Sequence, residues 1–186
     1  MSHSSEQAVP KPWQDRVARV LFSEADIQRR VAEIGVEISA LLDGQPIHVV
    51  GLMKGSMFFL ADLLRRLQTD CEVSFLTCSS YGKATQSGPL TVSGLDDLDI
   101  HGQTVLVVDD ILDTGKTLSR VMADLRTCGP ERILSCVLLD KRGRREKEVK
   151  PDFAGFSILN DFVIGYGMDF DGRYRNLPFV GVLKEG

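Results

Sequence analysis

The segment VLVVDDILDTGKTL, Val105 to Leu118, places two opposed kinds of chemistry within a few residues. Its end, Thr114-Gly115-Lys116-Thr117, suits a phosphate. It offers two hydroxyls and the first amides of a helix, where the positive end of the helix dipole favours an anion. Its beginning carries adjacent carboxylates, Asp109 and Asp110, which repel one. The Gly-Lys-Thr triplet invites an ATP-binding loop, but Asp110 stands where Gly-x-x-x-x-Gly-Lys-Thr needs its first glycine, which weakens that reading. A ribose 5-phosphate satisfies both halves. The phosphate goes to the 114–117 cradle, and the diol hydrogen-bonds to Asp109 and Asp110, which also suit Mg²⁺ directly or through water. A lone Asp pair reads more simply as a turn cap beside a solvated carboxylate. The apolar run before it and the cradle behind it favour the ligand.

Those residues need a strand, a loop and a helix to hold them. TVLVVDD (104–110) is a near-continuous apolar run, as in a central parallel strand covered on both faces. KTLSRVMADLRTC (116–128) then has helical spacing, and RILSCVLLD (132–140) is a further strand. Upstream, Ser23 precedes Ile27, Val31, Ile34, Ile38 and Leu41, one apolar face of a helix with Ser23 as N-cap. IHVVGLM (47–53) predicts a buried strand, SMFFLADLLRRLQ (56–68) a helix and CEVSFLTCSSY (71–81) a strand. Strands alternating with helices predict an α/β fold with a parallel sheet. Residues 82–102 are polar and glycine-rich, either a mobile lid or a β-hairpin excursion. Residues 151–186 predict a small cap beside the sheet, and residues 1–15 a loose tail.

Composition limits the remaining choices. The 186 residues suggest one domain, and at 43% hydrophobic the chain can bury a substantial core. A net charge of −4 confines any basic nucleic-acid face to a local patch, and no apolar run is long enough to span a bilayer. The polar start MSHSSEQAVPKPWQ lacks the apolar centre of a secretory signal, and Cys71, Cys78, Cys128 and Cys136 show no paired spacing. The expectation is a cytoplasmic protein with reduced cysteines.

The 105–118 segment closely resembles the phosphoribosyl-pyrophosphate motif of type I phosphoribosyltransferases, and the resemblance covers nearly the whole chain after about residue 16. It points to the 6-oxopurine branch, hypoxanthine or hypoxanthine-guanine phosphoribosyltransferases. The fold this resemblance implies is a parallel-sheet core, 16–186, with a lid at about 80–103 and a small C-terminal hood that includes 151–186. The reaction it implies joins a 6-oxopurine to phosphoribosyl pyrophosphate, giving IMP or GMP and pyrophosphate, with Mg²⁺ (or Mn²⁺) held by Asp109, Asp110 and Asp169. GLMKGSMFF resembles the pyrophosphate loop, which implies that Lys54 and Gly55 contact pyrophosphate and that the Met53–Lys54 peptide is cis. SSYG resembles the start of the lid, with Ser80 and Tyr81 closing over the site. LLDKRGRR resembles the segment with the base-reading lysine, here Lys141. DFVIGYGMDFDGRYR resembles the hood, where Phe162 stacks on the purine, Val163 meets it through main-chain groups and Arg175 meets pyrophosphate. By the same resemblance Asp113 is the candidate general base near N7, while Thr114, Gly115, Lys116 and Thr117 hold the 5-phosphate. Asp109 departs from the Glu of many members, which sets its carboxylate one methylene further from the diol.

Homodimers or homotetramers are implied, with neither nucleic acid nor membrane as partner. Two rivals remain open. One is transfer to another base such as xanthine. The other is the RNA-binding pyrimidine regulator built on the same fold. Basic residues do cluster at Lys141, Arg142, Arg144, Arg145, Lys147 and Lys150, but a solvated edge is the simpler reading of them.

Overall fold

The computed structural model describes residues 8–80 and 90–184. Five parallel strands and one antiparallel strand form the main sheet. In chain order they are β2 (Ile47–Met53), β3 (Cys71–Ser80), β4 (Leu90–Ser93), β5 (Thr104–Leu112), β6 (Arg132–Lys141) and β7 (Phe153–Ile158). Their order in space is β4-β3-β2-β5-β6-β7, with β4 antiparallel at one edge. A second sheet, β1 (Val17–Phe22), β9 (Val180–Leu183) and β8 (Val163–Ile164), is antiparallel.

Side chains alternate across β5, so each face of it builds a different core. Leu106 and Val108 pack with helices α1 (Glu24–Leu42) and α2 (Met57–Leu64). Val105 and Val107 pack on the other face with Leu118, Val121 and Leu125 of helix α3 (Lys116–Thr127). All four β5 residues are fully buried, which is why that strand reads as an unbroken apolar run. Register then sets the site. Asp109 lies beside Val137 and Leu112 beside Asp140, while the ends of β2 and β3 align at Met53 and Thr77. The loops after β2, β5 and β6 therefore open on one edge of the sheet.

Several expectations change. β5 and β6 run further than predicted, by two residues and one, so the strand continues past Asp109 and Asp110 instead of ending at them. Helix α2 stops at Leu64, and its last carbonyls are taken by Arg66 and Leu67 amides in tight turns. Part of 82–102 is the strand β4, which makes a hairpin arm on β3, and Ile100 beyond it is fully buried. Tyr81 lies outside the described residues. The expected cap divides, because β7 extends the main sheet beside β6 and only β8 and β9 enter the second sheet. That sheet also takes β1 from the other end of the chain. The tail is docked from Val9 onward. Val9 and Trp13 pack on the second core, and the Trp13 ring meets Tyr174 edge-on at 6.2 Å. Two apolar side chains gain more by covering that core than by staying in water. All four cysteines are free, and no described helix is long and apolar enough to cross a membrane.

Helix α1 begins with a reciprocal cap, in which the Asp26 amide donates to Ser23 Oγ at 3.0 Å and the Ser23 amide to Asp26 Oδ2 at 3.2 Å. Ser23→Ala is expected to cost about 1 kcal/mol in urea unfolding at neutral pH. The Ser23 hydrogen bond, then Arg29, holds the Asp26 carboxyl below its ordinary value. The Asp26 contribution is therefore present above the ordinary carboxylate range and is lost as pH falls through the depressed folded value. The gap between variant and parent should narrow over the same interval; a constant gap would show that the carboxylate half of the cap carries no weight.

Candidate active site

Burial is the first fact about the acidic pair. Asp109 is buried and Asp110 opens only partly onto a cleft of about 280 Å³. Desolvation pushes both carboxyls up, and the neighbouring Asp110 charge pushes Asp109 further. Local amides offset part of the cost. The Asp110 amide donates to Asp109 Oδ1 at 3.0 Å, and the Ile111 amide to Asp110 Oδ1 at 2.8 Å. The Arg175 charge also bears on Asp110 and favours its ionised form.

The cleft joins residues from two loops and the end of β5: Gly55, then Asp109, Asp110 and Asp113, then Thr114, Gly115 and Thr117. A larger hollow of about 730 Å³ lies at the opposite, amino-terminal edge of the strands, beside Gln45, Asp70 and Glu131. It collects none of the predicted chemistry, and ligands of open α/β sheets bind at carboxyl ends. Gly115 caps α3 at φ +81°, and a Cβ there would lie 2.8 Å from the Lys147 carbonyl. The first backbone bond of α3 runs from the Ser119 amide to the Gly115 carbonyl. Earlier amides of the turn have no carbonyl within the helix, the arrangement that suits an anion. The Lys116 amide is the exception, in a long 3.4 Å contact with Thr114 Oγ1. The Lys116 ammonium turns to Glu146 at 2.6 Å, so the backbone of that residue, more than its charge, belongs to the cradle.

Asp113 and Lys141 come together, as register predicts. Lys141 is buried at the end of β6, and its Nζ lies 3.8 Å from Asp113 Oδ2, with Arg144 at 3.6 Å from the same oxygen. Asp113 Oδ1 is buried with no hydrogen-bond partner among the described residues. An unmet buried acceptor is costly, and in a cleft it marks where a donor is wanted. Arg145 fixes the frame around it. Its guanidinium donates to the carbonyls of Asp113, Leu112, Val149 and Lys141 and to Asp140 Oδ1. The solvated-edge expectation for the basic run therefore fails at Lys141 and Arg145. It holds at Arg142 and Arg144, which are well exposed. No local pattern marks Arg145, because its partners come from both ends of its own loop and from β5.

The turn between β8 and β9 packs on Gly55, one of the cleft residues. Arg175 Nη1 donates to the Gly167 carbonyl at 2.6 Å, and its Nη2 pairs with Asp169 Oδ1 at 2.7 Å. Asp169 Oδ2 also accepts from the Gly172 amide at 2.7 Å. Gly167 rests so closely on the Gly55 carbonyl that a Cβ would overlap it, and a Cβ on Gly55 would overlap the Asp110 carboxylate. The Met53–Lys54 peptide is cis, and the Lys54 side chain is exposed. Phe162 is exposed and meets Phe170 edge-on at 5.6 Å, while Val163 is buried in β8. Lys54, Lys116, Lys141, Phe162, Val163, Asp169 and Arg175 are not among the residues that line the cavity. Cys78 does line it, unforeseen from the sequence. Burial, then the Asp109 charge, pushes its thiol up to about 11, so it is neutral and no nucleophile at physiological pH.

A Mg²⁺ ion fits this donor set in part. The carboxylates are hard oxygen ligands, and a cation answers the electrostatic demand of the buried pair. Among the described residues no cluster of three or more His, Cys, Asp or Glu forms a ready cage. The rest of the coordination must then come from substrate oxygens and water, the usual arrangement for Mg²⁺.

Known proteins resemble this chain over most of its length. Residues 21–171 match the phosphoribosyl transferase domain model. Over 166 residues the chain is 46% identical to the hypoxanthine phosphoribosyltransferase of Escherichia coli, covering 87% of this chain and 93% of that one. It is 38% identical over 175 residues to the hypoxanthine-guanine-xanthine phosphoribosyltransferase of Tritrichomonas foetus, covering 94% and 96%. The crystal structure of a hypoxanthine phosphoribosyltransferase from Staphylococcus aureus superposes with a TM-score of 0.88 at 34% identity, covering 95% and 97%.

The stacked glycine contacts predict a graded response. Gly167 and Gly172 both have positive φ, at +102° and +73°, but a Cβ on Gly172 would have nothing within 4 Å. Gly172→Ala should lose about 1 kcal/mol for the left-handed backbone alone. Gly167→Ala should lose roughly 1–3 kcal/mol more, from overpacking against Gly55. Equal losses in chemical denaturation would mean that the two loops separate freely.

Proposed function

The chain belongs to the phosphoribosyl transferase family, and we propose that it transfers the 5-phosphoribosyl group of phosphoribosyl pyrophosphate to hypoxanthine and guanine. The products are IMP or GMP and pyrophosphate, a purine salvage reaction. The observation that carries this reading is the pairing of buried Lys141 with Asp113, whose Oδ1 is an unmet acceptor, one loop from an acidic pair and an anion cradle. Lys141 donates to the 6-oxo group. A 6-amino group would present donors to the ammonium and leave it unpaired, which selects against adenine. Asp113 Oδ1 accepts the proton from N7 as N9 attacks C1 of the sugar. The amides and hydroxyls of Thr114 to Thr117 hold the 5-phosphate, and Asp110 and Asp109 hold the ribose diol. Asp109, short and set back in its strand, reaches the diol through water.

As the C1–oxygen bond breaks, charge collects on the leaving pyrophosphate, beside Lys54, the Gly55 amide and Arg175. A Mg²⁺ (or Mn²⁺) ion held by Asp109 and Asp110, with a second at Asp169, would supply further charge neutralisation there. Phe162 stacks on the purine and Val163 meets it through the main chain. Ser80, Tyr81 and the rest of a lid at about 80–103 exclude water, whose attack on C1 would waste the sugar. The protein works in the cytoplasm as a homodimer or homotetramer, without nucleic acid. The regulator reading is disfavoured by the inward use of Lys141 and Arg145, which removes them from any RNA face.

The direct test is pyrophosphate release from phosphoribosyl pyrophosphate with hypoxanthine, guanine, xanthine or adenine, with and without excess chelator. Turnover with hypoxanthine but not adenine, abolished by chelator, is expected. Adenine turnover at the hypoxanthine rate would overturn the assignment, and xanthine turnover would widen it.

Two substitutions divide the roles. Lys141→Met should raise KM for hypoxanthine by about 10- to 100-fold, since a hydrogen bond from a charged group contributes ~1.5–3 kcal/mol. KM for phosphoribosyl pyrophosphate should stay near the parent value; a rise in that constant alone would remove Lys141 from the base site. Asp113→Asn keeps shape but removes basicity. It should leave melting temperature nearly unchanged and lower kcat roughly 10²–10⁴-fold. A variant with parent kcat, under conditions where chemistry limits the rate, would refute the general-base role.

A further inference from the structure

Tyr166 belongs to the hood by sequence but not by burial. Ile164, Leu177 and Phe179 form the core of the second sheet, whereas Tyr166, with Val163, Met168 and Val180, is buried with α1, α2 and the main sheet. Its hydroxyl donates to Asp62 Oδ2 on α2 at 2.6 Å, and its ring lies 6.2 Å from that of Phe58, also on α2. Asp62 is itself well held. It accepts from Gln28 of α1 on the same oxygen, and its Oδ1 takes Arg65 at 2.6 Å. Tyr166 sits at φ +48°, a region that a bulky side chain keeps only where its surroundings fix it.

That residue anchors the turn that packs on Gly55 at the cleft. The Tyr166 amide donates to the Leu177 carbonyl at 2.8 Å and the next amide, Gly167, to the Arg175 carbonyl at 2.9 Å. The Gly167 carbonyl in turn receives the Arg175 guanidinium, and Gly167 rests on Gly55. A shift of the Tyr166 side chain would thus reach Arg175 and Gly55 through one or two bonds. It would reach Lys141 and Asp113 only across the cleft.

We propose that Asp62 and Tyr166 are positioning residues for the pyrophosphate half of the reaction. Neither touches substrate. Their hydrogen bond, between the hood and α2, holds the 165–168 turn against the loop after β2, so that Arg175 and Gly55 meet pyrophosphate in a fixed geometry. Burial, with the Asp62 hydrogen bond next, keeps the phenol protonated and so keeps it a donor. The inference rests on the transferase reading.

The experiment measures kcat, both KM values and melting temperature for parent, Tyr166→Phe, Asp62→Leu, Asp62→Asn and the Tyr166→Phe, Asp62→Leu double variant. Tyr166→Phe deletes only the hydroxyl. It should raise KM for phosphoribosyl pyrophosphate roughly 5- to 10-fold, a part of what a hydrogen bond to a charged group is worth, and leave KM for hypoxanthine within about twofold. Asp62→Leu should repeat that pattern even if Tyr166→Phe folds poorly, and the double variant should be no worse than either single change. Asp62→Asn keeps an acceptor for the phenol and should restore most of the loss. A lower melting temperature with both KM values unchanged would make the pair a plain structural link and overturn the proposal. Equal rises in both constants would do the same, since they would mean a general loosening. An inactive parent would instead remove the transferase reading, and this inference with it.

Discussion

Two adjacent carboxylates near the end of β5, one buried and one half-buried, are the constraint on which the other contacts depend. Each loses hydration that the protein does not fully replace, and both carboxyls are pushed up in consequence. Such a pair is tolerable only if the nearby backbone donates to it and the cleft is kept for cationic partners. The Asp110 and Ile111 amides meet the first need. The second explains the glycine after the cis peptide. Asp110 occupies the space where a Cβ of residue 55 would stand, so the loop can approach only as glycine. Gly167 then repeats the contact on Gly55. A chain of close backbone approaches thus runs from the strand to Arg175, and the cation that offsets the Asp110 charge is placed by the same packing.

The base end of the cleft has a different logic. Here the ionised groups are compensated in detail, except one atom. Asp140 would be raised by burial alone, but hydrogen bonds from Arg142 and Arg145 pull its carboxyl below the ordinary value. Arg145 gives its other donors to four carbonyls, among them that of Asp113. The loop from β6 to β7 is therefore tied to the end of β5 as firmly as a strand would be, and the Thr114 carbonyl accepts two of its amides, from Glu146 and Lys147, both at 2.9 Å. Against this background Asp113 Oδ1 stands out as the acceptor left unmet. A frame this fully bonded would not leave an oxygen bare through poor packing, which favours reading it as reserved for a ligand.

How much the sequence disclosed depends on distance along the chain. β5, α3 and the N-cap of α1 were legible because their signals are local: a near-continuous apolar run, a helical apolar spacing, a Ser just before the first apolar face. The cradle and acidic pair were legible for the same reason, being fourteen consecutive residues. β1 was not, because its partner β9 lies at the other end of the chain. β7 looked like part of the cap since its short apolar run is only half-buried, and nothing local says that β6 has an unpaired edge. Arg145 and Tyr166 were missed for one reason. Each is defined by partners brought from other elements, and a basic run or a hood tyrosine looks the same with or without them.

The two sheets divide the work unequally. The main sheet holds its groups rigidly, because Asp109, Asp113 and Lys141 sit at or just beyond the ends of strands paired within it. The second sheet is small, with a two-residue edge strand β8 beside β9 and a small apolar core of its own. Its accuracy must be borrowed. β1 and Trp13 brace it from one side, and Tyr166, reaching into the larger core, braces it from the other. Between these braces Phe162 and Phe170 remain exposed, edge to face, at 53% and 48%. Two large rings left in water forgo the burial that a core position would give. In the proposed reaction the purine restores it for Phe162, and that burial is available only if the braces hold the ring still before the base arrives.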